Sequence, residues 1–378
     1  MIRTPSLFGL QRILSRLTGA GTLIFGGAIT TDKTYSFQDA SGTVPLLEIQ
    51  PVASFQNKFI NPRFDIWQRG TTFTPTLNTE TYDADRFFTK IDGTSVVFTV
   101  SQQAHTLGTL TDEPTYFRRC AVTTAGTTST VTKILAQRIE GVRIFAGKKV
   151  TLSFKAKADA ARTITPNYVQ SFGTGGAPSA NVTGAGSGIA LTASWVTYTQ
   201  VITLPSISGK TMGTTASTDY LELWLSAAAN TVQTIDISDI EFKEVATSGQ
   251  VNTPFEIRPA QAEMGLCRRY FQRTSSVDAQ FQPYGYGFAA TGTTGNVFLQ
   301  LVPVMRAVPA ASTSAIGGFQ VSDSVTGQVL TALAIQSSQS SRQLICLLGT
   351  VAAGLTQFRP IRIESNVTTA TLDLSAEL

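Results

Sequence analysis

The sequence predicts an all-β protein, and three observations carry that expectation. Only 14% of its 378 residues are charged, against about a quarter in a typical soluble chain. Thr, Ser, Gly and Ala take their place and mean hydropathy is slightly positive, which suits hydroxyl-faced strands and argues against disorder. Between residues 56 and 246, runs such as Lys149–Ala158 alternate apolar and polar residues, and no segment there repeats with helical period.

Along the chain, the first element is a helix. In residues 5–18, Leu7, Leu10, Ile13, Leu14 and Leu17 fall at helical spacing, Arg12 and Arg16 share another face, and Pro5 and Gly19 suit its two ends. Segment 1–20 has little neighbouring chain to cover that stripe, so sister helices or a groove on another protein should cover it, its own domain being the alternative. Residues 21–55 read as short strand pieces turning at Asp32-Lys33 and Asp39–Gly42. Residues 56–246 supply at least seven strands, enough for a jelly-roll β-sandwich. Residues 247–273 read as a connector whose helix places Met264, Cys267 and Phe271 at helical spacing beside Tyr270. Residues 274–378 return to strands and predict a second, C-terminal β-sandwich tip.

Charge and cysteine usage exclude several functions. The net charge is only +4, and the basic residues are scattered rather than interleaved with aromatics, so no nucleic acid is expected. Cys120, Cys267 and Cys346 are odd in number and far apart, which fits buried thiols in a reducing cytoplasm and neither a disulfide framework nor a metal motif. The longest apolar run, Gly19–Ile29, is too short to span a bilayer. Arg12 and Arg16 interrupt the stretch that a signal peptide would need. No membrane insertion is expected.

Residues 57–69 read N-x-x-x-N-x-x-F-x-x-W-Q-R, and residues 255–270 contain F-x-x-R-P and C-x-R-Y. In that order these motifs resemble the tail-fibre and receptor-binding proteins of tailed bacteriophages. The stretch Ile29–Leu46 resembles a fibre-shaft motif, and Val302–Ser312 resembles the P-x-x-M-R-A-x-P stretch of fibre tips. The resemblance implies a parallel homotrimer built into the virion, assembled in the host cytoplasm and acting outside the bacterial surface. The N-terminus would dock on other tail or capsid proteins, and the outer part would bind host surface polysaccharide. A head-fibre or decoration protein, or a capsule depolymerase, remains the alternative. Residues 56–246 also resemble the carbohydrate-binding modules attached to bacterial xylanases. Asn57, Asn61, Phe64 and Trp67 match the opening strand, and Asp236, Ile240 and Glu244 the closing one. That family often holds a structural calcium between its terminal strands, which makes Asn57 and Asp236 the candidate ligands; Arg63 departs from the pattern. No other cofactor is implied.

No catalytic constellation is visible, and no enzyme is expected. The chain has one histidine, His105, with no nucleophile elbow or orienting acid in its flanks. Glycoside cleavage needs two carboxylates roughly 5–10 Å apart, for which Asp83, Asp85, Asp92, Glu140 and Glu222 are the candidates. Binding a sugar asks less: an aromatic face for the ring and polar groups for its hydroxyls. In YLELWL the three leucines must face the core, which puts Tyr220, Glu222 and Trp224 together on the outside as a glycan platform or a subunit contact. Trp195 and Tyr198 lie on opposite faces of WVTYTQ. Tyr284 and Tyr286 in the tip are glycine-flanked rings able to meet a receptor or one another.

Overall fold

The computed structural model describes residues 55–378, apart from 111, 128–131, 246–254 and 324. The helix expected over 5–18, the shaft strands expected over 21–50 and part of the connector lie outside the described residues.

Two antiparallel sheets face each other in the first half. The front sheet runs β1 (Thr72–Phe73), β4 (Val97–Ala104), β5 (Tyr116–Thr124), β13 (Gln233–Glu244), β7 (Lys149–Ala158) and β11 (Val196–Thr203). The back sheet runs β10 (Ile189–Leu191), β8 (Arg162–Ser171), β12 (Tyr220–Ala227), β6 (Thr132–Glu140), β3 (Phe88–Lys90) and β2 (Thr81–Tyr82), and β9 (Val182–Ala185) also pairs with β8. From β5 to β8 and from β10 to β13 each connection crosses from one sheet to the other, the jelly-roll pattern that the sequence predicts. Alternation decides which side chains meet. Val150, Leu152, Phe154 and Ala156 of β7 point at Leu221, Leu223 and Leu225 of β12 within one apolar core, and each large aliphatic side chain so buried contributes about 1.5–3 kcal/mol.

One ion pair lies inside that core. Arg118 grips Asp83 with two hydrogen bonds, Nε to Oδ1 at 2.7 Å and Nη2 to Oδ2 at 2.8 Å. It also donates to the Ile134 carbonyl at 2.6 Å, and Thr89 donates to Asp83 at 2.9 Å. Burial pushes the thiol of neighbouring Cys120 up to about 12, although the Arg118 cation works against it.

The opening motif fastens the front sheet of the sandwich to the connector. Asn57 donates to the Ile240 carbonyl at 3.0 Å and accepts the amides of Phe59 and Phe242 at 3.1 and 3.0 Å, closing the first segment onto β13. Asn61 adopts φ 59°, a left-handed turn that Asn tolerates well, and its side chain both accepts from and donates to the backbone of Ile66 at 3.0 and 2.8 Å. Trp67 is half-buried, stacks on Phe73 and donates to the Phe64 carbonyl at 2.6 Å. The second motif holds the first: Arg258 donates to the carbonyls of Asn57 and Phe59, and to Glu263.

Helix α1 (Ala260–Arg268) is shorter than the spacing predicts. Tyr270 follows as a turn against the Arg86 guanidinium, and Phe271 opens β14 (Phe271–Ser275). With β22 (Thr371–Ser375) and β17 (Ala310–Thr313) it forms a small sheet. The tip closes into a six-stranded barrel where the sequence reading expected a sandwich. Its order is β15 (Pro283–Ala289), β16 (Thr294–Gln300), β20 (Leu344–Val351), β19 (Gly327–Ile335), β18 (Phe319–Ser322) and β21 (Pro360–Ser365), which returns to β15. Gly285 and Gly287 make that closure possible, because a Cβ at Gly287 would lie 1.8 Å from the Asn296 carbonyl oxygen. Arg306, in the Val302–Ser312 stretch, donates to the Ala376 carbonyl at 2.9 Å and to the Ser217 carbonyl at 2.8 Å, tying the C-terminal half to the sandwich.

Candidate functional site

Tyr220, Glu222 and Trp224 do share the outer face of β12, as alternation requires, but that face is already engaged. β6 runs beside β12 and brings Lys133 and Arg138 against it. Lys133 donates to one Glu222 oxygen and Arg138 to the other, the latter at 2.8 Å. The same two cations lie over the rings: Lys133 Nζ is 4.6 Å from the centre of Trp224, and the Arg138 guanidinium is 4.9 Å from Tyr220. Arg138 also binds Glu80 and the Leu378 carbonyl. Burial opposes its charge, but Glu222, Tyr82 and Glu80 overcome that and raise its pKa above the ordinary arginine value. Glu222 is 1% exposed, so it has no oxygen left to accept a sugar hydroxyl. The three residues form an internal lattice of ion pairs and cation–π contacts.

The outer face of the front sheet carries a different cluster. Trp195 sits just before β11, Phe117 on β5 and His105 just after β4. Their rings meet in a triangle: His105–Phe117 at 4.8 Å, His105–Trp195 at 5.0 Å and Phe117–Trp195 edge-on at 5.3 Å. Trp195 and His105 remain half-exposed. Strand register explains the meeting, because β13 pairs with β5 on one side and β7 on the other and brings Asp236, Arg119 and Lys157 into one row. Arg119 holds Asp236 with two bonds at 2.8 and 2.9 Å. The Lys157 ammonium lies 5.3 Å from the centre of Trp195. Across the triangle, Lys155 bridges Asp112 and Asp239 at 2.6 and 2.8 Å.

His105 lies at the centre of this arrangement, and Nε2 is 3.2 Å from the Ser238 hydroxyl. Burial pushes its pKa down; Asp239 pulls the other way, and Lys155 and Lys157 add to the fall. These effects favour the uncharged imidazole, which packs as a third ring. An apolar aromatic surface framed by fixed carboxylates, guanidinium and ammonium groups can stack on one face of a pyranose while the rim meets its hydroxyls. The sequence puts Trp195 and Tyr198 on opposite faces without saying which is outer, and its local pattern gives His105 no partner. Only the pairing of β4, β5 and β13 brings the three rings together.

The remaining predicted residues separate. Tyr284 is 3% exposed; it packs on Phe319 inside the barrel and donates to the Ala370 carbonyl at 3.1 Å, which removes it as a receptor contact. Tyr286, two residues on, would share its face in a regular strand, but β15 shifts register between Pro283 and Gly285, and Tyr286 is 65% exposed. The calcium expectation does not fit Asn57 and Asp236: two backbone amides occupy the Asn57 oxygen, and Arg119 occupies the Asp236 carboxylate. No group of three His, Cys, Asp or Glu side chains among the described residues is placed to hold an ion. Four of the candidate catalytic carboxylates are further tied up: Asp83 by Arg118, Asp85 by Gln68 and Arg69, Asp92 by Lys90, and Glu140 by Arg269.

No family model matches the chain, and no curated protein matches its sequence. Among solved structures, the enzymatically active domain of tailspike protein 4 from bacteriophage CBA120 aligns at 14% identity and TM-score 0.30, covering 50% of this chain and 22% of that one. The N-terminal cellulose-binding domain of β-1,4-glucanase C from Cellulomonas fimi aligns at 18% identity and TM-score 0.26, covering 36% of this chain and 83% of that domain. The CBM22-1–GH10 modules of xylanase 10B from Clostridium thermocellum align at 9% identity and TM-score 0.31, covering 50% of this chain and 29% of that one.

Proposed function

We propose that this chain is a structural fibre protein of a tailed bacteriophage that attaches the particle to polysaccharide on the host surface, by binding and without cleavage. The observation that carries the binding reading is the ring triangle in which half-exposed Trp195 and His105 rest on buried Phe117, framed by ion-paired Asp236, Arg119, Lys157 and Lys155. The phage assignment rests on the order of sequence motifs, from the asparagine-rich opening through F-x-x-R-P to the P-x-x-M-R-A-x-P stretch. The apolar stripe of residues 5–18 and the shaft-like residues 21–50 support a homotrimer anchored in the virion by its N-terminal part. The paired state of Asp83, Asp85, Asp92, Glu140 and Glu222 supports binding over hydrolysis, since each already neutralises a cation or a hydrogen-bond donor.

Purified chain incubated with host surface polysaccharide should retain it in a pull-down and release no reducing ends. Trp195→Ala should lower retention about tenfold, by analogy with the roughly 1–3 kcal/mol lost when a stacking ring is removed. Release of reducing ends would make the chain a depolymerase instead, and full retention by the Trp195 variant would move binding off the front sheet.

A further inference from the structure

The charges beside the front-sheet triangle are unevenly exposed. Asp236 of β13 stands opposite Arg119 of β5 on one side and Lys157 of β7 on the other, so one carboxylate answers two cations. The Asp236 side chain is 3% exposed, whereas those of Arg119 and Lys157 are 37% and 32% exposed. The acid lies beneath and the cations reach the surface. One positive charge is left uncompensated next to Trp195.

Neighbouring groups do not cancel it. Asp159, two residues beyond Lys157 in the chain, is held by Arg162 at 2.8 Å. On the far side of the triangle Lys155 and Arg63 answer Asp239, and Lys155 also answers exposed Asp112, two cations for two acids. Both surface cations keep free donors. Arg119 commits Nε and Nη2 to Asp236, and its Nη1 has no partner among the described residues. Lys157 Nζ is 3.7 Å from Asp236 Oδ2, too far for a hydrogen bond. These cations adjoin the rings as well. Lys157 Nζ is 5.3 Å from the centre of Trp195 and 5.9 Å from that of Phe117, and the Arg119 guanidinium is 5.6 Å from Phe117.

We infer that the front-sheet site takes an acidic sugar, a pyranose bearing one carboxylate such as a uronic acid. Its ring stacks on Trp195 and its carboxylate meets Lys157 and Arg119 Nη1. The inference rests on the sugar-binding reading of this site and adds the class of sugar. A single uncompensated charge matches a monoanion. A neutral sugar leaves both cations to water, and an amino sugar meets them as like charge. Charge-assisted hydrogen bonds are stronger than neutral ones, but solvent screens a pair this exposed, so the preference for the acid is modest.

The test pairs oligomers of galacturonate, hyaluronate and alginate with their methyl esters, which keep the ring and remove the charge. In titrations of the full chain at least one acid should bind about three- to tenfold more tightly than its ester. The ratio should fall toward one as salt rises from about 0.1 to about 1 M, which shortens the screening length from about 10 to about 3 Å. Lys157→Gln should also bring the ratio near one, and Lys157→Arg should keep it. Trp195→Ala should weaken acid and ester alike. Matching melting curves for the variants would exclude unfolding as the cause. Equal binding of acid and ester in every pair, or a preference untouched by Lys157→Gln, would overturn the inference, while dependence on Trp195 would still uphold sugar binding. Failure of every acid to bind would overturn it too, with retention of host polysaccharide left to judge the sugar reading. An acid bound equally well after Trp195→Ala would overturn both.

Discussion

Replacing Arg258 by Ala tests whether the F-x-x-R-P motif locks the opening segment in place. Its guanidinium reaches the Asn57 carbonyl, the Phe59 carbonyl at 3.0 Å, Glu263 at 3.0 Å and Glu256 at 3.1 Å. Both carboxylates also accept backbone amides of the opening segment, Glu263 from Asn61 and Glu256 from Asn57. Truncation would leave buried carbonyls without a donor and two largely buried carboxylates without a cation, a loss of about 3–4 kcal/mol for a broken buried pair. At roughly 2–4 °C per kcal/mol for a domain of this size, the melting midpoint should fall by about 6–16 °C. Lysine at 258 restores the charge but lacks the fork needed to span carbonyl and carboxylate together, so it should recover less than half. Acid supplies a second check. Burial raises the Glu256 pKa, but the amides of Asn57 and Phe55 and the Arg258 cation outweigh it and hold the group below its ordinary 4.5. Its contribution is therefore present above pH 4.5 and lost as pH falls further. Calorimetry of both variants across this range decides the matter. A loss under about 1 kcal/mol, which is ordinary for surface changes, or full rescue by lysine, would refute the idea of a lock.

Trp224→Ala should lower stability by about 1–2 kcal/mol by stripping the ring from under Lys133; polysaccharide retention by the folded protein should not change. Cys120, its thiol pushed up to about 12, should resist alkylation at pH about 8.5, where an exposed thiol is half ionised, and react only on unfolding, as mass spectrometry of the modified chain will show. Removing residues 1–50 should leave one cooperative unfolding transition from the remaining chain in calorimetry. If the proposed fibre role holds, the full chain should scatter light as a trimer and enter particles, and the same truncation should abolish both.

Periodicity made the sandwich legible, since a strand like Lys149–Ala158 declares its buried face by alternation alone. The same rule misleads where a charge turns inward. Arg118 lies fully buried among the apolar residues of β5 because Asp83, far away in sequence, meets it there. No local pattern announces that partner. Tyr220, Glu222 and Trp224 were correctly assigned to the outside, but their fate depends on Lys133 and Arg138, which reach them only through the register of β6 against β12. The helix ran past its true end in the sequence reading because Phe271 continues the apolar spacing while belonging to β14. Barrel closure was hidden for a related reason, since it depends on β15 pairing with β21 across more than seventy residues.

The motifs most visible in the sequence spend their side chains on the backbone. Asn57, Asn61 and Arg258 direct their hydrogen bonds at backbone carbonyls and amides. Such bonds specify a chain path, and they would serve equally well beneath any binding surface. A recognisable N-x-x-x-N opening and its F-x-x-R-P partner therefore report a scaffold. The chemistry open to solvent is set by side chains outside these motifs, such as half-exposed Trp195 at the head of β11, which strand order brings to His105 and Phe117. The surface that the sandwich presents can thus change through β11 and the loops beside it while the lock between Arg258 and the opening segment stays intact.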